Sequence, residues 1–389
     1  MSFKGIVLFL HRWLGIISGL VVFVVSVTGC VFCFQDEIQD AVHSWRKVVV
    51  ENKPYIAPSV LKNKALAVYP KASADYIYYF GTDRPAAVLA SVHQKGFTYI
   101  YMNPYSGRIL HIEGLKDNFF TVIQYIHLYL LLPANIGQLV VGISVLIFVV
   151  LMITGIILWW PKRKVDRKRS FTIKWKGRWK RVNYDLHNVF GFYSVSIALI
   201  LATTGLAMAF NWVNKGIYNI ANLGKTYPAE LVDPKSDTLK HILSNRPVID
   251  MAFKLAKSKS PHAQMFLVAN LADKAGTVQV TAFAQTLNYG HSDNYYFDKY
   301  SGALLKTLPY SQKSPGMKAN DLNYDIHVGQ ALGLTGKILA FLTSLICASL
   351  PVTGLIIWLG KKKKKSSKAR SAVEKKAGYK YRNLQKSAT

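Results

Sequence analysis

Four long apolar stretches dominate the pattern of hydrophobic and polar positions along the chain. They cover roughly residues 6–34, 138–160, 189–212 and 334–359. A bilayer core of about 30 Å needs about 20 apolar residues in a helix, and each stretch is long enough to cross it. The pattern therefore predicts four membrane-spanning helices and excludes an ordinary soluble domain.

The basic residues are concentrated beside these stretches. Of the 389 residues, 49 are Lys or Arg and 20 are Asp or Glu, which gives a net charge of +29. Segments 161–181 and 361–389 hold 11 and 12 basic residues, with one acid each. Cytoplasmic loops carry this excess, so we expect a multi-pass protein of a bacterial inner membrane with both termini in the cytoplasm. Topology and anionic lipid explain the lysines at 361–365 better than nucleic acid does.

The segments between the stretches predict two small α+β domains on the periplasmic side. Each contains two strands around a Ser-Gly turn, at 101–110 and 296–305,. Upstream of each turn we expect a short helix and two further strands, at 58–69, 76–80 and 87–92 in the first domain and at 238–257, 265–269 and 277–284 in the second. The predicted fold is thus an integral membrane α-helical protein, built as a duplicated two-helix unit with two outer domains.

The boundaries follow from these patterns. In chain order they are 1–35 (helix 1), 36–118 (first outer domain), 119–160 (an outer helix and helix 2), 161–181 (cytoplasmic loop), 182–212 (helix 3), 213–320 (second outer domain), 321–360 (helix 4) and 361–389 (cytoplasmic tail).

The first and third stretches repeat one pattern of small residues. Counted from His11 and His187, a glycine follows at four residues, a serine at seven, and a Thr-Gly pair at seventeen and eighteen. At 100° per residue, offsets of four, seven and eighteen fall about 40°, −20° and 0° from the histidine. One face of each helix therefore lacks bulky side chains, which suits a neighbouring helix or a flat ligand.

The second and fourth stretches repeat a different pattern. A histidine precedes each stretch (His127 and His327), and each ends in Thr-Gly, three aliphatic residues and Trp. The pentapeptides at 183–187 and 323–327 are Asn-Tyr-Asp-Leu-His and Asn-Tyr-Asp-Ile-His. They predict that the third and fourth helices start alike, with the Asn or the Asp as an N-cap.

The four matched histidines are candidate haem ligands, because an ionisable side chain in or beside a membrane span is costly and indicates function. At 1.5 Å per residue, two of them lie about 9–10 Å inside the inner boundary and two lie at the outer level, each pair beside two glycines. Flat macrocycles held from both faces by imidazole fit this arrangement, so we expect two non-covalent b-type haems. The predicted residues are His11, His187, Gly155 and Gly354 for the inner haem, and His127, His327, Gly29 and Gly205 for the outer haem.

Haem propionates need cationic partners. Arg12 and Arg181 lie near the inner level and Lys337 near the outer one, although Lys337 could equally extend its amine to the membrane surface,. The spans lack the closely spaced ligands of a zinc site, and no C-x-x-C-H sequence exists for covalent haem attachment. The other six histidines are expected at the surface or in a core; they are His43, His93, His111, His241, His262 and His291.

All three cysteines, Cys30, Cys33 and Cys347, fall inside apolar stretches. Cys30 and Cys33 form a C-x-x-C sequence, which could be a redox pair or two small apolar helix residues. The run ending at Cys30 also looks like a lipoprotein cleavage site, but the repeated Thr-Gly pair explains it without cleavage.

Together these motifs resemble the PepSY-associated transmembrane family, which includes iron-regulated inner-membrane proteins and ferric-siderophore reductases. The resemblance rests on His11-Arg12-Trp13-Leu14-Gly15, the Thr-Gly helix ends, the Trp-Trp-Pro-Lys-Arg exit from the second stretch and the Tyr-Ser-Gly turns. It implies four membrane helices, periplasmic PepSY-like domains and, as in the reductase members, two haems. We expect no fused flavin domain, because only a basic tail follows residue 359 and no G-x-G-x-x-G follows a strand.

The sequence therefore predicts a dihaem cytochrome and oxidoreductase that passes single electrons from a cytoplasmic or quinol donor to a periplasmic acceptor. The resemblance implies that the acceptor is a ferric siderophore. The rival interpretation is a haem-free membrane protein whose PepSY-like domains bind periplasmic peptidases, and the four histidines distinguish the two. The donor, the individual siderophore, the haem potentials and the oligomeric state are left open.

Overall fold

The protein divides into two units in the computed structural model, which describes residues 2–161, 163–238, 246–270 and 273–386, without the side chains of 166 and 362–386. The helical unit comprises Met1–Val27, Asn135–Ala202 and Leu342–Thr389. The sheet unit comprises Thr28–Ala134 and Thr203–Phe341.

Twelve α-helices lie within the described residues. They are α1 (Phe3–Cys33), α2 (Gln35–Val42), α3 (Pro58–Val68), α4 (Phe119–Tyr129), α5 (Ala134–Trp159), α6 (Arg167–Phe171), α7 (Trp179–Ala209), α8 (Asn211–Ala221), α9 (Pro228–Leu231), α10 (Val248–Lys259), α11 (Pro315–His327) and α12 (Gly333–Lys386). Single 3-10 turns occur at Ser44–Arg46, Lys164–Asp166, Tyr310–Gln312 and Gln330–Leu332.

Four helical segments are long and apolar enough to cross a membrane: Phe3–Cys33, Ala134–Trp159, Trp179–Ala209 and Gln330–Lys361. They coincide with the four apolar stretches, so the predicted spans are confirmed as helices. A helix satisfies all its backbone hydrogen bonds internally, which is why an apolar run of this length adopts it in lipid. The chain is a multi-pass membrane protein.

Small residues allow close packing in the helical unit. A buried cluster joins α5, α7 and α12 through Met152, Val195, Ala198, Ala202 and Cys347. A Cβ atom added at Gly15 or Gly191 would lie 3.8 Å from the Leu151 side chain or 3.6 Å from the Leu350 side chain, respectively. The faces that lack bulk therefore do pack against neighbouring helices, as one of the two expected uses requires.

Eight antiparallel strands form one sheet in the sheet unit. They are β1 (Ser73–Tyr79), β2 (Ala86–Val92), β3 (Gly96–Met102), β4 (Ile109–Gly114), β5 (Met265–Asn270), β6 (Val278–Gln285), β7 (Asn288–Phe297) and β8 (Leu304–Leu308). Their order is β4-β3-β2-β1-β5-β6-β7-β8, so two four-stranded meanders meet where β1 pairs with β5, with Ile77 opposite Val268.

Instead of the two separate outer domains that the sequence suggested, the segments share this sheet and one core. Helices α3 and α10 pack on one face, with Leu61, Ala252 and Phe253 among residues that are at most 6% exposed. Pairing β1 with β5 removes two sheet edges that would otherwise be open to aggregation. Helix α10 starts later than the predicted 238–257, and residues 239–245 lie outside the described part of the chain.

The outer helix predicted within 119–160 is present as α4, whereas residues 321–327, predicted as the start of helix 4, belong to the separate helix α11. His127 lies in the last turn of α4 and His327 is the final residue of α11, and a turn separates each from the following span. Positive φ angles at Leu130 and Gly329 end these helices,. The N-cap prediction is also wrong, because α7 starts at Trp179 and α11 is capped by Ser314, so the Asn and Asp of each pentapeptide lie inside their helices.

Candidate functional site

The four predicted histidines come together as two pairs. In the helical unit, the His11 and His187 ring centroids are 6.4 Å apart and their planes are at 88°. In the sheet unit, the His127 and His327 centroids are 6.1 Å apart and the planes are at 70°. Both pairs join residues that the sequence repeat assigned to one level, and all four rings are half-buried.

Each histidine binds a threonine on another helix. In all four cases ring Nδ1 lies 2.9–3.0 Å from a threonine Oγ1. The pairs are His11 with Thr154, His127 with Thr28, His187 with Thr353, and His327 with Thr204. These threonines are the ones in the repeated Thr-Gly pairs, so one His–Thr contact is built four times from matching sequence.

The threonine hydroxyls determine which ring nitrogen is protonated. The Thr154 hydroxyl donates to the backbone carbonyl of Val150 at 2.8 Å, and the Thr353 hydroxyl donates to that of Ser349 at 2.9 Å. A hydroxyl has one proton, so in these contacts histidine Nδ1 carries a proton and donates it to the threonine oxygen. Nε2 then keeps its lone pair, which is the tautomer that a metal ligand needs.

The glycines next to these threonines make room for the imidazole rings. A Cβ atom at Gly155 would lie 3.4 Å from Cε1 of His11, at Gly354 3.2 Å from Cε1 of His187, and at Gly205 3.0 Å from Cε1 of His327. These glycines thus face the imidazole rings, and their predicted place at the edge of a macrocycle stays a prediction. Gly29 follows Thr28, the partner of His127, and stays a prediction for the same role.

The spacing of each pair fits a single metal between two imidazoles. Imidazole nitrogen bonds to a metal at about 2.0–2.1 Å, which places the centroids of two rings on opposite sides of one metal about 6.3 Å apart. The observed 6.4 and 6.1 Å match this separation. Among the described residues, no group of three or more His, Cys, Asp or Glu is placed to hold a metal ion. A porphyrin supplies four nitrogen ligands of its own, so two imidazoles complete its coordination.

The predicted propionate partners all have protein contacts. The Arg12 guanidinium lies 5.5 Å from the centre of the Trp13 ring, and Arg181 Nε donates to Asp185 Oδ2 at 2.7 Å. Lys337 is buried and donates to Glu37 Oε1 at 2.7 Å. The carboxylate of Glu37 thus pairs with the Lys337 charge. The sequence had suggested either a haem propionate as its partner or an amine extended to the membrane surface.

The other described histidines and the cysteines lie as expected for structural residues. His93, His262 and His291 are exposed, while His43 and His111 are half-buried and stack on Trp45. His241 lies outside the described residues. The three cysteines are buried and carry free thiols.

A cavity of about 260 Å³ lies on the face of the sheet opposite α3 and α10. Its wall is aromatic and charged, with Trp45, Tyr78, Tyr99, Tyr101, Tyr289, Asp36, Arg46, Arg84 and Glu113 among the lining residues. Burial raises the pKa of Asp36 and raises the pKa of Tyr99 to about 12. Burial would also raise the pKa of Asp40, but hydrogen bonds from Arg84 and Arg46 outweigh it and hold that pKa below its usual value.

This cavity adjoins the helix that carries His327. The Tyr289 ring, which lines the cavity, lies 5.6 Å from the ring of Tyr324, three residues before His327 in α11. Further rings continue around the cavity wall, with Tyr101 4.5 Å from Trp45. A molecule in the cavity would therefore be close to the helix turn that holds one histidine of the outer pair.

Sequence reasoning missed the threonines as site residues. The repeated Thr-Gly pairs contained the signal, but only the glycine was assigned a role. The asparagines of the two pentapeptides were also missed, because their position before a helix-borne histidine resembled a cap.

Comparison with known proteins identifies the family. No curated protein matches the chain with significance. A family model described as the PepSY-associated TM region matches residues 8–361, which include all four histidines and both units. With the four apolar helices and the repeated Thr-Gly motifs, this match shows that the chain belongs to the PepSY-associated transmembrane family.

Proposed function

We propose that this protein is a transmembrane b-type cytochrome that holds two haems, one at each histidine pair. The observation that carries the proposal is the fourfold His–Thr contact at Nδ1, together with a spacing of the paired rings that suits two imidazoles on one metal. The duplicated sequence supports it, because a histidine kept only for helix packing would not need matched partners in both halves.

The chain's own residues would hold and orient the cofactor. Haem iron supplies one-electron oxidation and reduction when it is bound. The histidines would bind the iron, the threonine oxygens would hold the orientation of the imidazole rings, and the glycines leave space for those rings. Haem iron held by two imidazoles would have no open coordination position, which would suit outer-sphere electron transfer.

The charge distribution supports one orientation of the chain in the membrane. The basic loop and tail favour a cytoplasmic location for both termini, contact with anionic lipid and a periplasmic location for the sheet unit. We infer that electrons enter from a cytoplasmic or quinol donor and leave to a periplasmic acceptor. By family resemblance the acceptor is Fe(III) held by a siderophore, and reduction to Fe(II) weakens chelation by hard oxygen ligands. The cavity beside Tyr289 is the candidate place for the acceptor.

The test is an optical spectrum of the purified protein with a haem-to-protein ratio. We expect about two non-covalent haems per chain and a dithionite-reduced spectrum typical of two histidine ligands. Rings at 88° in one pair also predict a strongly anisotropic low-spin EPR signal from the oxidised protein. In protein purified without added haem, His11→Ala or His187→Ala should deplete one haem, and His127→Ala or His327→Ala the other.

His93→Ala is the matched control, since His93 is exposed and lies outside the repeat. It should keep both haems. A wild-type protein purified from haem-replete membranes without haem would contradict the proposal and favour the PepSY binding protein that acts on peptidases. Loss of both haems from each single histidine substitution would contradict the assignment of two separate sites.

A further inference from the structure

The asparagine of each pentapeptide forms a hydrogen bond with the same threonine as the histidine that follows it. Asn183 Nδ2 donates to the backbone carbonyl of Thr353 at 3.1 Å, while His187 Nδ1 bonds to Oγ1 of that residue. Asn323 Nδ2 donates to the carbonyl of Thr204 at 3.0 Å, while His327 bonds to its Oγ1. Two side chains one helical turn apart thus hold one threonine of another helix.

The aspartate of each pentapeptide accepts hydrogen bonds that connect the same helix turn to a second segment of the chain. Asp185 Oδ2 accepts from the backbone N–H of Lys174 and from Nε of Arg181. Asp325 Oδ2 accepts from the backbone N–H groups of Tyr289 and Gly290. The helix turn that carries His187 or His327 is therefore held from two sides.

The other two histidines lack this asparagine. Four residues before His11 stands Val7, and four residues before His127 stands Ile123. Neither side chain can form a hydrogen bond. Each pair therefore combines one histidine that follows an asparagine bonded to its threonine with one histidine that has an aliphatic residue at the same position.

The asparagines are costly to bury. Asn183 is 1% exposed and Asn323 is 4% exposed. Asn183 Oδ1 is buried without a hydrogen-bond partner among the described residues, and a buried polar atom without a partner destabilises the fold. An aliphatic residue, as in the first half, would pack at this position without that cost. Packing alone therefore does not explain an asparagine at position 183.

We propose that Asn183 and Asn323 are positioning residues that make His187 and His327 the fixed axial ligand of each pair. His11 and His127 are then the ligands that yield first when a haem is lost or exchanged. The proposal rests on the proposed function, since it concerns ligands to haem. The asparagines act through Thr353 and Thr204 and do not contact the iron.

A double-mutant cycle on the full-length, haem-saturated protein tests the inner pair. In a His11→Ala background only His187 holds the inner haem, and in a His187→Ala background only His11 does. Asn183→Val, which copies Val7, is added to each background. For each of these proteins we would measure the rate of haem transfer to excess apomyoglobin. The EPR spectrum is recorded separately for the single variant Asn183→Val.

We expect Asn183→Val to accelerate inner-haem loss about fivefold in the His11→Ala background, the factor expected for one lost neutral hydrogen bond. It should have no effect in the His187→Ala background, and it should change the EPR signal of one haem only. Asn188→Val is the matched control: Asn188 is half-buried on the same helix, and its Nδ2 donates within that helix to the Tyr184 carbonyl. It should change neither rate.

Equal acceleration in both backgrounds would mean that Asn183 is a general packing residue, and it would overturn the proposal. No acceleration in either background, with haem bound, would overturn it too while leaving the proposed function intact. Wild-type protein without haem would overturn both. If Asn183→Val does not fold, Asn323→Ile in His127→Ala and His327→Ala backgrounds gives the same test, with Asn320→Ile on α11 as its control.

Discussion

Gly205→Ala is the most discriminating substitution for the outer haem site. The added Cβ would lie 3.0 Å from Cε1, 3.7 Å from Nδ1 and 3.9 Å from Nε2 of His327. A contact at 3.0 Å is closer than side chains normally tolerate, so the ring must shift by a few tenths of an ångström. The hydrogen bond to Thr204 and the direction of Nε2 shift with it.

The magnitude follows from the cost of overpacking. Inserting a methyl group into a packed site costs about 1–3 kcal/mol, which lowers the affinity for the outer haem about 5-fold to 150-fold. Alanine is a better helix former than glycine by up to about 1 kcal/mol, so a loss of haem could not be attributed to a weakened helix. The expected order of effects is Gly205→Ala, then Gly354→Ala at 3.2 Å, then Gly155→Ala at 3.4 Å.

The assay is haem content and the reduced spectrum of each variant in detergent. Gly191→Ala is the control on the same helix, because its Cβ would make an ordinary 3.6 Å contact with Leu350. The reasoning is refuted if Gly205→Ala keeps the outer haem with an unchanged spectrum, or if Gly191→Ala loses as much.

Three further predictions concern the threonines, the topology and the pH dependence. Thr353→Val removes the oxygen that accepts from His187 and should lower inner-haem affinity about 10–100-fold, whereas Thr353→Ser should restore it; equal haem titrations would contradict this. A reporter fused at Lys71 should be periplasmic and one at Arg178 cytoplasmic, and the reverse would overturn the assigned orientation. Because the pKa of Asp40 is depressed in the folded protein, its stabilising contribution is present above its usual 3.8 and lost as pH falls through the folded value,. Asp40→Asn should reduce that acid-dependent fall in the melting temperature of the sheet unit.

Local pattern was sufficient for the four spans and for most strands. An apolar run near 25 residues long can satisfy its backbone in lipid only as a helix, so the four spans follow from length alone. The Ser-Gly turns were also predicted correctly, because Gly107 and Gly302 have φ angles of 66° and 73°, which glycine adopts without strain,. The histidine pairs followed from the repeat, since equal spacing on matched helices gives equal depth.

The sequence by itself determined the four spans, the two sets of strands and the pairing of His11 with His187 and of His127 with His327. Only the tertiary structure decided that β1 and β5 join the two halves into one sheet, that the glycines face imidazole rings, and that threonines hold those rings. The physical reason is the range of the interactions. Helices, turns and periodic faces depend on neighbours within a few residues, whereas Asn183 meets Thr353 170 residues away, and no local pattern specifies which distant side chain completes a hydrogen bond.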